Sequence, residues 1–393
     1  MRIRYVLFNA YASGGTTRSV VNQANALCRD HDVEIASIYR HRETPRFAID
    51  PRVRLVPLTE LRSDGSRRAA PEGSWTRPMR IARRFANPLP HKLDWRFPRW
   101  HPPVDLRLLR YFWAADDGIL VTTRPGVNLL SARLAPRRVV KVAQDHMNLA
   151  TYRPVLRDAI VRAYPRFDAV VTLTDEDRAA YRQALAGAAT RVECIPNGVP
   201  PPRVGAATLD AKVLVAAGRL VHQKGFDLLL DAFQTVSAKH PDWQLWIFGG
   251  GVQRDALSDR IERLGLTGRA HLKRTTDRLD EQLAAASIYV LSSRFEGLPM
   301  VLLEAMTAGL PVVAFDCPTG PAQVIAHGRS GLLVPAADVG ALAAGICELI
   351  ENPGRRRAMG AAAGEDAERY SISSVRHRWE ALFAGLRRAR RYR

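Results

Sequence analysis

Two glutamates with seven residues between them, Glu296 and Glu304, are the most informative residues of this sequence. Pro299 suits the first turn of a helix and Gly309 suits its end, so we expect a helix over 299–308. Glu296 then precedes this helix, whereas Glu304 lies inside it, ~7 Å along its axis. Free N–H groups at a helix start attract a diphosphate, and a carboxylate accepts hydrogen bonds from adjacent sugar hydroxyls. The spacing therefore predicts an anion site flanked by two sugar-binding carboxylates.

Two cations, Arg219 and Lys224, follow a predicted strand over 212–217. Ligands of open α/β sheets gather just beyond the carboxyl ends of the strands, so this position favours contact with phosphate over the alternative of plain surface cations. The pair Gly14–Gly15 follows the first predicted strand in the same way. It is a weaker signal, because any turn from a strand to a helix can carry glycines.

The triplet 175–177 has the D-x-D spacing of a metal-binding motif. Thr174 and Asp177 also have the spacing of a helix N-cap with an acidic partner, and we interpret the triplet as that cap. Arg219, Lys224 and a helix dipole would then neutralise a bound diphosphate. We therefore expect no metal site, and no cofactor is required.

The charge balance indicates an anionic partner without identifying it. The chain has 393 residues, with 58 Lys and Arg against 39 Asp and Glu, which gives a formal charge of +19. Such a field attracts nucleic acid, anionic lipid headgroups and phosphorylated substrates alike. A biased use of arginine with no partner behind it is the alternative. The composition, 47% apolar and 25% charged, excludes global disorder.

Short apolar runs alternate with stretches of helical periodicity along most of the chain. The predicted strands are 5–9, 33–39, 52–57, 118–122, 139–143, 169–173, 212–217, 244–248, 288–291, 311–315 and 331–334. This alternation favours mainly parallel sheets, and 393 residues suffice for two α/β domains. Turn and proline signals at 195–202 predict the domain boundary. We expect domains over 1–199 and 203–372, followed by an amphipathic helix over 373–388.

The stretch 62–110 interrupts this alternation with prolines, tryptophans and many arginines, and we interpret it as an insertion. The segment 80–85 within it has the pattern of a short basic amphipathic helix suited to an anionic membrane surface. A partly ordered loop whose aromatic side chains pack on its own domain is an equally good interpretation.

The cysteines and apolar runs bear on the compartment. The four cysteines are far apart and form no CxxC or metal-spaced set, which favours a reducing compartment. The first apolar run leads into Gly14–Gly15 rather than a cleavage site, so it predicts a strand and not a signal peptide. No run of ~20 apolar residues occurs, so no membrane span is expected. We expect a cytoplasmic protein whose contact with the inner face of the plasma membrane, if any, is peripheral.

The spacing of the two glutamates resembles the E-x7-E motif of retaining glycosyltransferases of family 4, which have the GT-B fold. Three more segments are similar to motifs of that family: the loop with Gly14–Gly15, the P-N-G-V joint at 196–199 and the G-R-L-x-x-x-K-G segment at 218–225. The likeness covers nearly the whole C-terminal half and, more faintly, the N-terminal half. It implies an α/β GT-B fold, in which two Rossmann-like domains face each other across a cleft and a C-terminal helix within 373–393 packs back on the N-terminal domain.

The resemblance also implies roles for single residues. Arg219 and Lys224 would contact the donor diphosphate. Lys273 lies where, in that family, the protein backbone contacts the base of the donor nucleotide. Glu296 would orient the transferred sugar, with His146 as the active-site histidine near it. The implied catalytic residues are Glu296, His146, Arg219 and Lys224. The implied donor-binding residues are Gly14, Gly15, Arg219, Lys224, Lys273, Glu296, Gly297, Leu298, Met300, Val301 and Glu304.

Two segments concern the acceptor. Arg124 and Asn128 follow the predicted strand over 118–122 and are candidates to face the acceptor. The loop 317–321 resembles one found in family members that act on bacterial surface polymers. We therefore expect a hydroxyl acceptor on a lipid-linked or cell-surface glycan precursor, with an anionic membrane surface as a further partner and no nucleic acid.

The activity implied by the resemblance is transfer of a hexosyl group from a UDP- or GDP-sugar with retention of configuration. In such family members the leaving phosphate takes the acceptor proton on the same face, so no carboxylate nucleophile is needed. Two alternatives stay open, because one fold supports many functions. One is a catalytically inactive, basic GT-B-like protein that binds an anionic polymer or membrane surface. The other is a GT-B phosphorylase with lysine-bound pyridoxal phosphate.

Overall fold

Alternating strands and helices build two parallel sheets, one in each of two units. The computed structural model describes residues 1–61 and 102–391. One unit consists of Met1–Pro196 with Arg376–Arg393 and is called the N-terminal domain below. The other consists of Asn197–Val375 and is called the C-terminal domain.

The N-terminal domain alternates strand and helix around a seven-stranded sheet. Its described elements are β1 Arg2–Leu7, α1 Gly15–Leu27, β2 Asp32–Arg40, β3 Arg54–Glu60, α2 Pro102–Trp113, β4 Ile119–Thr122, α3 Pro125–Leu134, β5 Val140–Gln144, α4 Pro154–Ala163, β6 Ala169–Thr172, α5 Asp175–Ala184 and β7 Arg191–Cys194. All neighbouring strands are parallel, in the order β3-β2-β1-β4-β5-β6-β7.

The central strands of this sheet are buried on both faces. In β1 the side chains of Ile3 and Val6 are fully buried, and β4 is buried along its whole length. Continuous burial of this kind is typical of a parallel sheet covered by helices on both sides. Since β1 and β4 are neighbours but distant in sequence, the chain changes direction of winding between them. The loops after these two strands therefore diverge at the carboxyl edge, which is where α/β folds bind ligands.

The C-terminal domain repeats this plan with six strands. Its elements are β8 Val213–Ala217, α6 Phe226–Lys239, β9 Gln244–Phe248, α7 Arg254–Arg263, β10 Ala270–Lys273, α8 Leu279–Ala284, β11 Ile288–Leu291, α9 Met300–Thr307, β12 Val312–Asp316, α10 Pro321–Val324, β13 Gly331–Pro335, α11 Val339–Glu351 and α12 Pro353–Ala367. The order is β10-β9-β8-β11-β12-β13, with every pair parallel. Its winding reverses between β8 and β11, which places the loops after those two strands side by side.

The last helix, α13, runs over Ile372–Arg391, and its residues from Arg376 onward belong to the N-terminal domain. Trp379 and Phe383 are fully buried, with ring centroids 5.3 Å apart. Further along the helix, Arg390 forms an ion pair of 3.0 Å with Asp168, which lies just before β6. None of the described helices combines the length and the apolar character needed to cross a membrane.

Two strands, β7 and β10, were not among the predicted ones. Both lie at the edge of their sheet. Only Cys194 is buried in β7, and only Ala270 is buried in β10. A strand covered on one side has no continuous apolar run, so its sequence does not show the pattern of a central strand.

The predicted insertion over 62–110 is too long at its C-terminal end. Pro102–Trp113 forms α2, in which Val104, Leu108 and Phe112 are buried against the sheet. Their spacing of four residues puts them on one helix face, which makes this segment part of the domain core. The prolines and arginines before it obscured that periodicity. The basic amphipathic segment over 80–85 lies outside the described residues.

Candidate functional site

The switch point of the C-terminal sheet brings two loops together, 218–225 after β8 and 292–299 after β11. The backbone N–H of Arg294 donates to the carbonyl of Gln223 over 2.8 Å, and the side-chain amide of Gln223 donates to the carbonyl of Phe295 over 3.0 Å. These bonds fasten one loop to the other at the carboxyl edge. The structure thus assembles the G-R-L-x-x-x-K-G segment and the first glutamate of the E-x7-E pair on adjoining backbones.

Gly225 makes this close approach possible. Its φ is +62°, and a Cβ there would lie 2.0 Å from the carbonyl oxygen of Ser292. Both the left-handed backbone and the lack of space select glycine. The hydroxyl of Ser292 in turn donates to the carbonyl of Lys224 over 3.0 Å. The glycine therefore fixes the position of Lys224 against the loop that carries Glu296.

Glu296 is 5% exposed, and both its side chain and its backbone are held by neighbouring groups. Its carboxylate forms an ion pair with the ammonium of Lys224 and accepts a hydrogen bond of 2.6 Å from the hydroxyl of Ser293. Its backbone N–H donates to the carbonyl of Pro318 over 2.9 Å, and its carbonyl accepts from the hydroxyl of Thr319 over 2.8 Å. The acid is thus fixed in one orientation, next to a cation that keeps donor capacity for a second anion.

Glu304 lies inside α9, as the sequence predicts, and is also buried. Tyr289 on β11, whose side chain is fully buried, lies near both acids. Burial raises the pKa of the Tyr289 hydroxyl, and the charges of Glu296 and Glu304 raise it further. Both carboxylates therefore lie within electrostatic reach of one phenol. Both acids are buried, so neither is a solvated surface residue.

The N-terminus of α9 adds donor groups to this region. Pro299 is the N-cap and has no side-chain group that could accept the N–H groups of the first turn, Met300 and Val301 among them. Leu298, just before the helix, is anchored by the side-chain amide of Asn197, which donates to its carbonyl over 2.9 Å. Asn197 belongs to the P-N-G-V joint, so the joint also supports the loop over 292–299.

Arg219 and Lys273 occupy different parts of the same edge. Arg219 is exposed and lies two residues beyond the end of β8, in the loop that holds Lys224. Lys273 is the last residue of the edge strand β10, and its ammonium lies 5.0 Å from the ring centroid of Trp246. The order β10-β9-β8 puts one strand, β9, between the strand of Lys273 and the strand that precedes the loop of Lys224. The structure thus groups Arg219, Lys224 and Glu296 more closely than Lys273.

The glycines of the N-terminal loop lie at the start of α1. Gly14 is the N-cap and Gly15 the first helical residue, with no side-chain capping bond. The loop before them is ordered by Asn9, whose side-chain oxygen accepts from the N–H of Tyr11 over 2.9 Å and whose carbonyl accepts from Thr17 over 3.0 Å. Gly14 and Gly15 therefore begin a helix at the switch point of the N-terminal sheet.

His146 lies two residues beyond β5 and is half-buried, but its Nε2 is enclosed and has no hydrogen-bond partner among the described residues. Burial lowers the pKa of His146 to about 4. The imidazole is therefore neutral at neutral pH. It can donate or accept a hydrogen bond there, but it cannot serve as a cation.

Asp145, the neighbour of His146, is a residue that sequence reasoning missed. Its buried carboxylate accepts hydrogen bonds of 2.5 Å from the hydroxyls of Tyr152 and Tyr181. Burial raises the pKa of Asp145 to about 6, against the opposing effect of the two phenols. The Tyr181 ring also stacks on Tyr164, with centroids 5.9 Å apart. The loop that carries His146 is thus anchored in the core through its preceding residue.

Two predictions about nearby residues have different outcomes. Thr174 caps α5, because its hydroxyl accepts from the N–H of Asp177 over 3.1 Å, as the capping interpretation of 175–177 predicts. Asn128 is fully buried, and its amide lies 2.8 Å from the Tyr164 hydroxyl, so it packs inside the N-terminal domain and does not face an acceptor. Arg124 lies with its guanidinium 5.0 Å from the ring centroid of Phe8.

Comparisons with known proteins identify a glycosyltransferase domain. Residues 202–366 match the family model "Glycosyl transferases group 1". The chain is 35% identical to the exopolysaccharide phosphotransferase SCO2592 of Streptomyces coelicolor. The match covers 98% of this chain but only 41% of the relative's length. It is 26% identical to an uncharacterized glycosyltransferase of Haemophilus influenzae, with 97% of this chain and 99% of the relative covered.

A solved structure shows the same fold. TarM of S. aureus, crystallised with fondaparinux, α-GlcNAc-glycerol and UDP, superposes with a TM-score of 0.77 over 97% of this chain and 99% of its own, at 16% identity. The expectation of an α/β fold with two Rossmann-like domains of the GT-B type is confirmed. The family model and the relatives also support a transferase enzyme, as predicted. Assignment to family 4 and the retaining mechanism stay predictions.

Proposed function

Starting from the match of residues 202–366 to the glycosyl transferases group 1, we propose that the chain is a retaining hexosyltransferase. Its donor is a UDP- or GDP-sugar and its acceptor a hydroxyl group. The observation that carries this proposal is the buried ion pair of Lys224 and Glu296, held by two adjoining loops at the start of α9. A cation, a carboxylate and helix N–H groups at one place match the phosphates and hydroxyls of a nucleotide sugar.

The donor diphosphate is bound by Lys224, Arg219 and the N–H groups at the start of α9. Lys224 has three donor hydrogens, so it can hold Glu296 and a phosphate oxygen together. As the bond from the anomeric carbon to the phosphate oxygen breaks, negative charge grows on the diphosphate. Fixed cations and N–H groups stabilise that charge without rearranging, which is the main source of rate enhancement in many enzymes. We expect no requirement for a metal ion, because Arg219, Lys224 and the dipole of α9 together offset the charge of the diphosphate.

The carboxylates orient the two sugars of the donor. Glu296 accepts hydrogen bonds from hydroxyls of the hexose, and Glu304 from those of the ribose. The acceptor oxygen forms the new bond on the face that the diphosphate leaves, and its proton passes to the departing phosphate oxygen. Neither carboxylate has to become a nucleophile. His146, neutral at neutral pH, takes part as a hydrogen-bonding group towards the transferred sugar.

The charge and the relatives support the proposed acceptor class. One relative is named for exopolysaccharide, and TarM was crystallised with UDP and a GlcNAc-glycerol. We therefore assign a lipid-linked or cell-surface glycan precursor as acceptor, at the cytoplasmic face of the membrane. The charge of +19 suits an anionic membrane surface as a further partner.

The test begins with thermal shifts of the full chain in UDP-, GDP- and ADP-sugars, since a ligand stabilises the native state according to its affinity. With the best donor, Lys224→Met and Glu296→Gln should each lower turnover about a hundred- to a thousand-fold. Lys212→Met is the matched control, because Lys212 pairs with Asp242 on the exposed surface of the same domain. That variant should keep wild-type turnover.

Two outcomes would contradict the proposal. Unchanged turnover in both Lys224→Met and Glu296→Gln would remove the site. Salt-sensitive binding of a polyanion together with no shift by any nucleotide sugar would instead favour a basic binding protein without catalysis. Absorbance of pyridoxal phosphate in the purified protein would favour a phosphorylase.

A further inference from the structure

A second group of side chains with ligand atoms lies in the C-terminal domain, away from the loops described above. It consists of His240, directly after α6, and of Cys347 and Glu351 in the last two turns of α11. Their ligand atoms all lie within 4.8 Å of one another. The Nε2 of His240 is already 3.1 Å from a carboxylate oxygen of Glu351.

The backbone holds these three residues in place. The N–H of His240 donates to the carbonyl of Val236 over 2.8 Å, and its carbonyl accepts from the N–H of Trp243 over 3.1 Å. Cys347 and Glu351 are four residues apart in one helix, so both lie on the same face. Cys347 is 5% exposed, whereas the Glu351 side chain is 55% exposed. The thiol thus forms the floor of the group, and an ion can enter from the solvent side.

We propose that His240, Cys347 and Glu351 bind a divalent cation of the zinc type. A thiolate, an imidazole and a carboxylate are the three donor types that proteins offer to Zn²⁺, and three protein ligands leave a fourth position for water. Donors at about 2.0 and 2.3 Å from a tetrahedral ion are roughly 3.5 Å apart. The observed spread of up to 4.8 Å therefore closes with side-chain movements of about 1 Å.

Metal binding at this group has to displace the thiol proton. Burial raises the pKa of Cys347, the nearby Lys239 lowers it and Glu351 raises it. A bound Zn²⁺ would replace the thiol proton, which is released to solvent, and the positive ion would offset the desolvation of the thiolate. His240 and Glu351, which already contact each other, would become a pair of metal ligands.

The position of the group indicates a structural role. Helix α6 has Gly225 as its N-cap, in the loop that carries Lys224, and His240 as its C-cap. The group therefore lies at the amino edge of the sheet, opposite the carboxyl edge that holds Glu296. An ion there would tie the end of α6 to the end of α11, two helices that pack together on the sheet. It would raise the stability of the C-terminal domain without contacting a donor.

The experiment uses the full chain, stripped with a chelator and titrated with Co²⁺ and then Zn²⁺. The wild type should bind one equivalent of Co²⁺ with a sulfur-to-cobalt charge-transfer band that Zn²⁺ abolishes. At a free Zn²⁺ concentration about a hundred times Kd, Tm should rise by about 5–10 °C. Cys347→Ala should lose the charge-transfer band and the Tm shift, and Glu351→Gln should weaken both.

Cys194→Ala is the matched control, since Cys194 is also buried but lies in the N-terminal domain. It should keep the band and the shift. The proposal is overturned if the wild type shows no charge-transfer band at micromolar metal, or if Cys347→Ala and His240→Ala bind Co²⁺ as the wild type does. Because the His240 side chain is partly exposed, His240→Ala stays informative even if Cys347→Ala fails to fold. None of these readouts depends on glycosyl transfer.

Discussion

The two sheets of this chain reverse their winding in the same way, but the groups at their carboxyl edges differ in charge. In the C-terminal domain the site is ionic, with Lys224 and Glu296 paired below the protein surface. In the N-terminal domain, the loop after β5 carries groups whose ionisation is made less favourable by burial: the pKa of His146 falls to about 4 and that of Asp145 rises to about 6. In the proposed function, the first arrangement would bind the diphosphate and the second would face hydroxyls of the transferred sugar.

The difference teaches that the fold supplies only the position of a site. Both sheets reverse their winding at a central pair of strands, β1 with β4 and β8 with β11. The chemistry comes from the loops after the strands, and each loop is rigid for a different reason. The loop over 218–225, called the ionic loop, is held by backbone contacts at Gly225. The loop after β5 with Asp145 and His146, called the neutral loop, is held by two tyrosine hydroxyls that donate to Asp145.

The largest expected loss of stability comes from Gly225→Ala in the ionic loop. The new methyl group would lie 2.0 Å from the Ser292 carbonyl oxygen, in a residue with a φ of +62°. Strain and overlap together should cost about 2–5 kcal/mol of the free energy of unfolding. We expect a loss of about 5–15 °C in the Tm of the C-terminal domain, measured by calorimetry.

Gly205→Ala is the control for that measurement. A Cβ at Gly205 meets no atom within 4 Å, and the residue is exposed in the same domain. Its Tm should match the wild type within about 1–2 °C, since surface substitutions outside such features change stability by about 0.5 kcal/mol at most. Equal Tm values for the two variants would show that the loop around Gly225 is not rigid.

The next effect concerns the pH dependence of the neutral loop. The pKa of Asp145 is about 6 in the folded protein and 3.8 as a reference, so the folded state binds this proton more tightly and stability falls as pH rises through that window. The pKa of His146 is about 4 against a reference of 6.5, so its contribution is present above pH 6.5 and is lost as pH falls towards 4. The two neighbours therefore oppose each other between about pH 4 and 6.

Replacing either residue should reveal the pH dependence of stability that the other one contributes. In Asp145→Asn, stability should rise from pH 4 to 6 by up to about 3 kcal/mol more than in the wild type, because the opposing contribution of Asp145 is removed. In His146→Gln, stability should fall relative to the wild type over the same range. Urea unfolding at several pH values measures both. Since all other groups are shared, equal slopes in the two variants would contradict the pKa shifts.

The sequence predicted the ionic site better than the neutral one, and the reason is physical. The limits of α9 follow from Pro299 and Gly309, which act locally, and Lys224 and Glu296 belong to short motifs. Asp145 acquires its role only through Tyr152 and Tyr181, and Tyr181 is 36 residues away in the chain. Such a contact depends on the packing of α5 against the loop, which no local pattern encodes.

The same limit applies to edge strands and to the proposed metal site. The edge strand β7 lacked an apolar run, and α2 was hidden behind proline-rich sequence, so both needed tertiary context to be recognised. His240 and Glu351 are 111 residues apart and meet only because α6 and α11 pack on one another. Cysteine spacing alone, which indicated no metal site, cannot detect ligands that converge through the fold.

The smallest expected effect is the difference in stability cost between replacing two buried tyrosines, one at each site. The Tyr181 hydroxyl donates to Asp145 over 2.5 Å, whereas the Tyr289 hydroxyl near Glu296 makes only a weak contact with the backbone of Ala217. Tyr181→Phe should therefore cost about 1–2 kcal/mol in urea unfolding, because a buried carboxylate loses a donor. Tyr289→Phe should change stability by about 0.5 kcal/mol or less, since the removed hydroxyl makes only that weak contact. If Tyr289→Phe is as costly as Tyr181→Phe, the ionic site holds its phenol by a hydrogen bond too, and the two loops differ less than their charges imply.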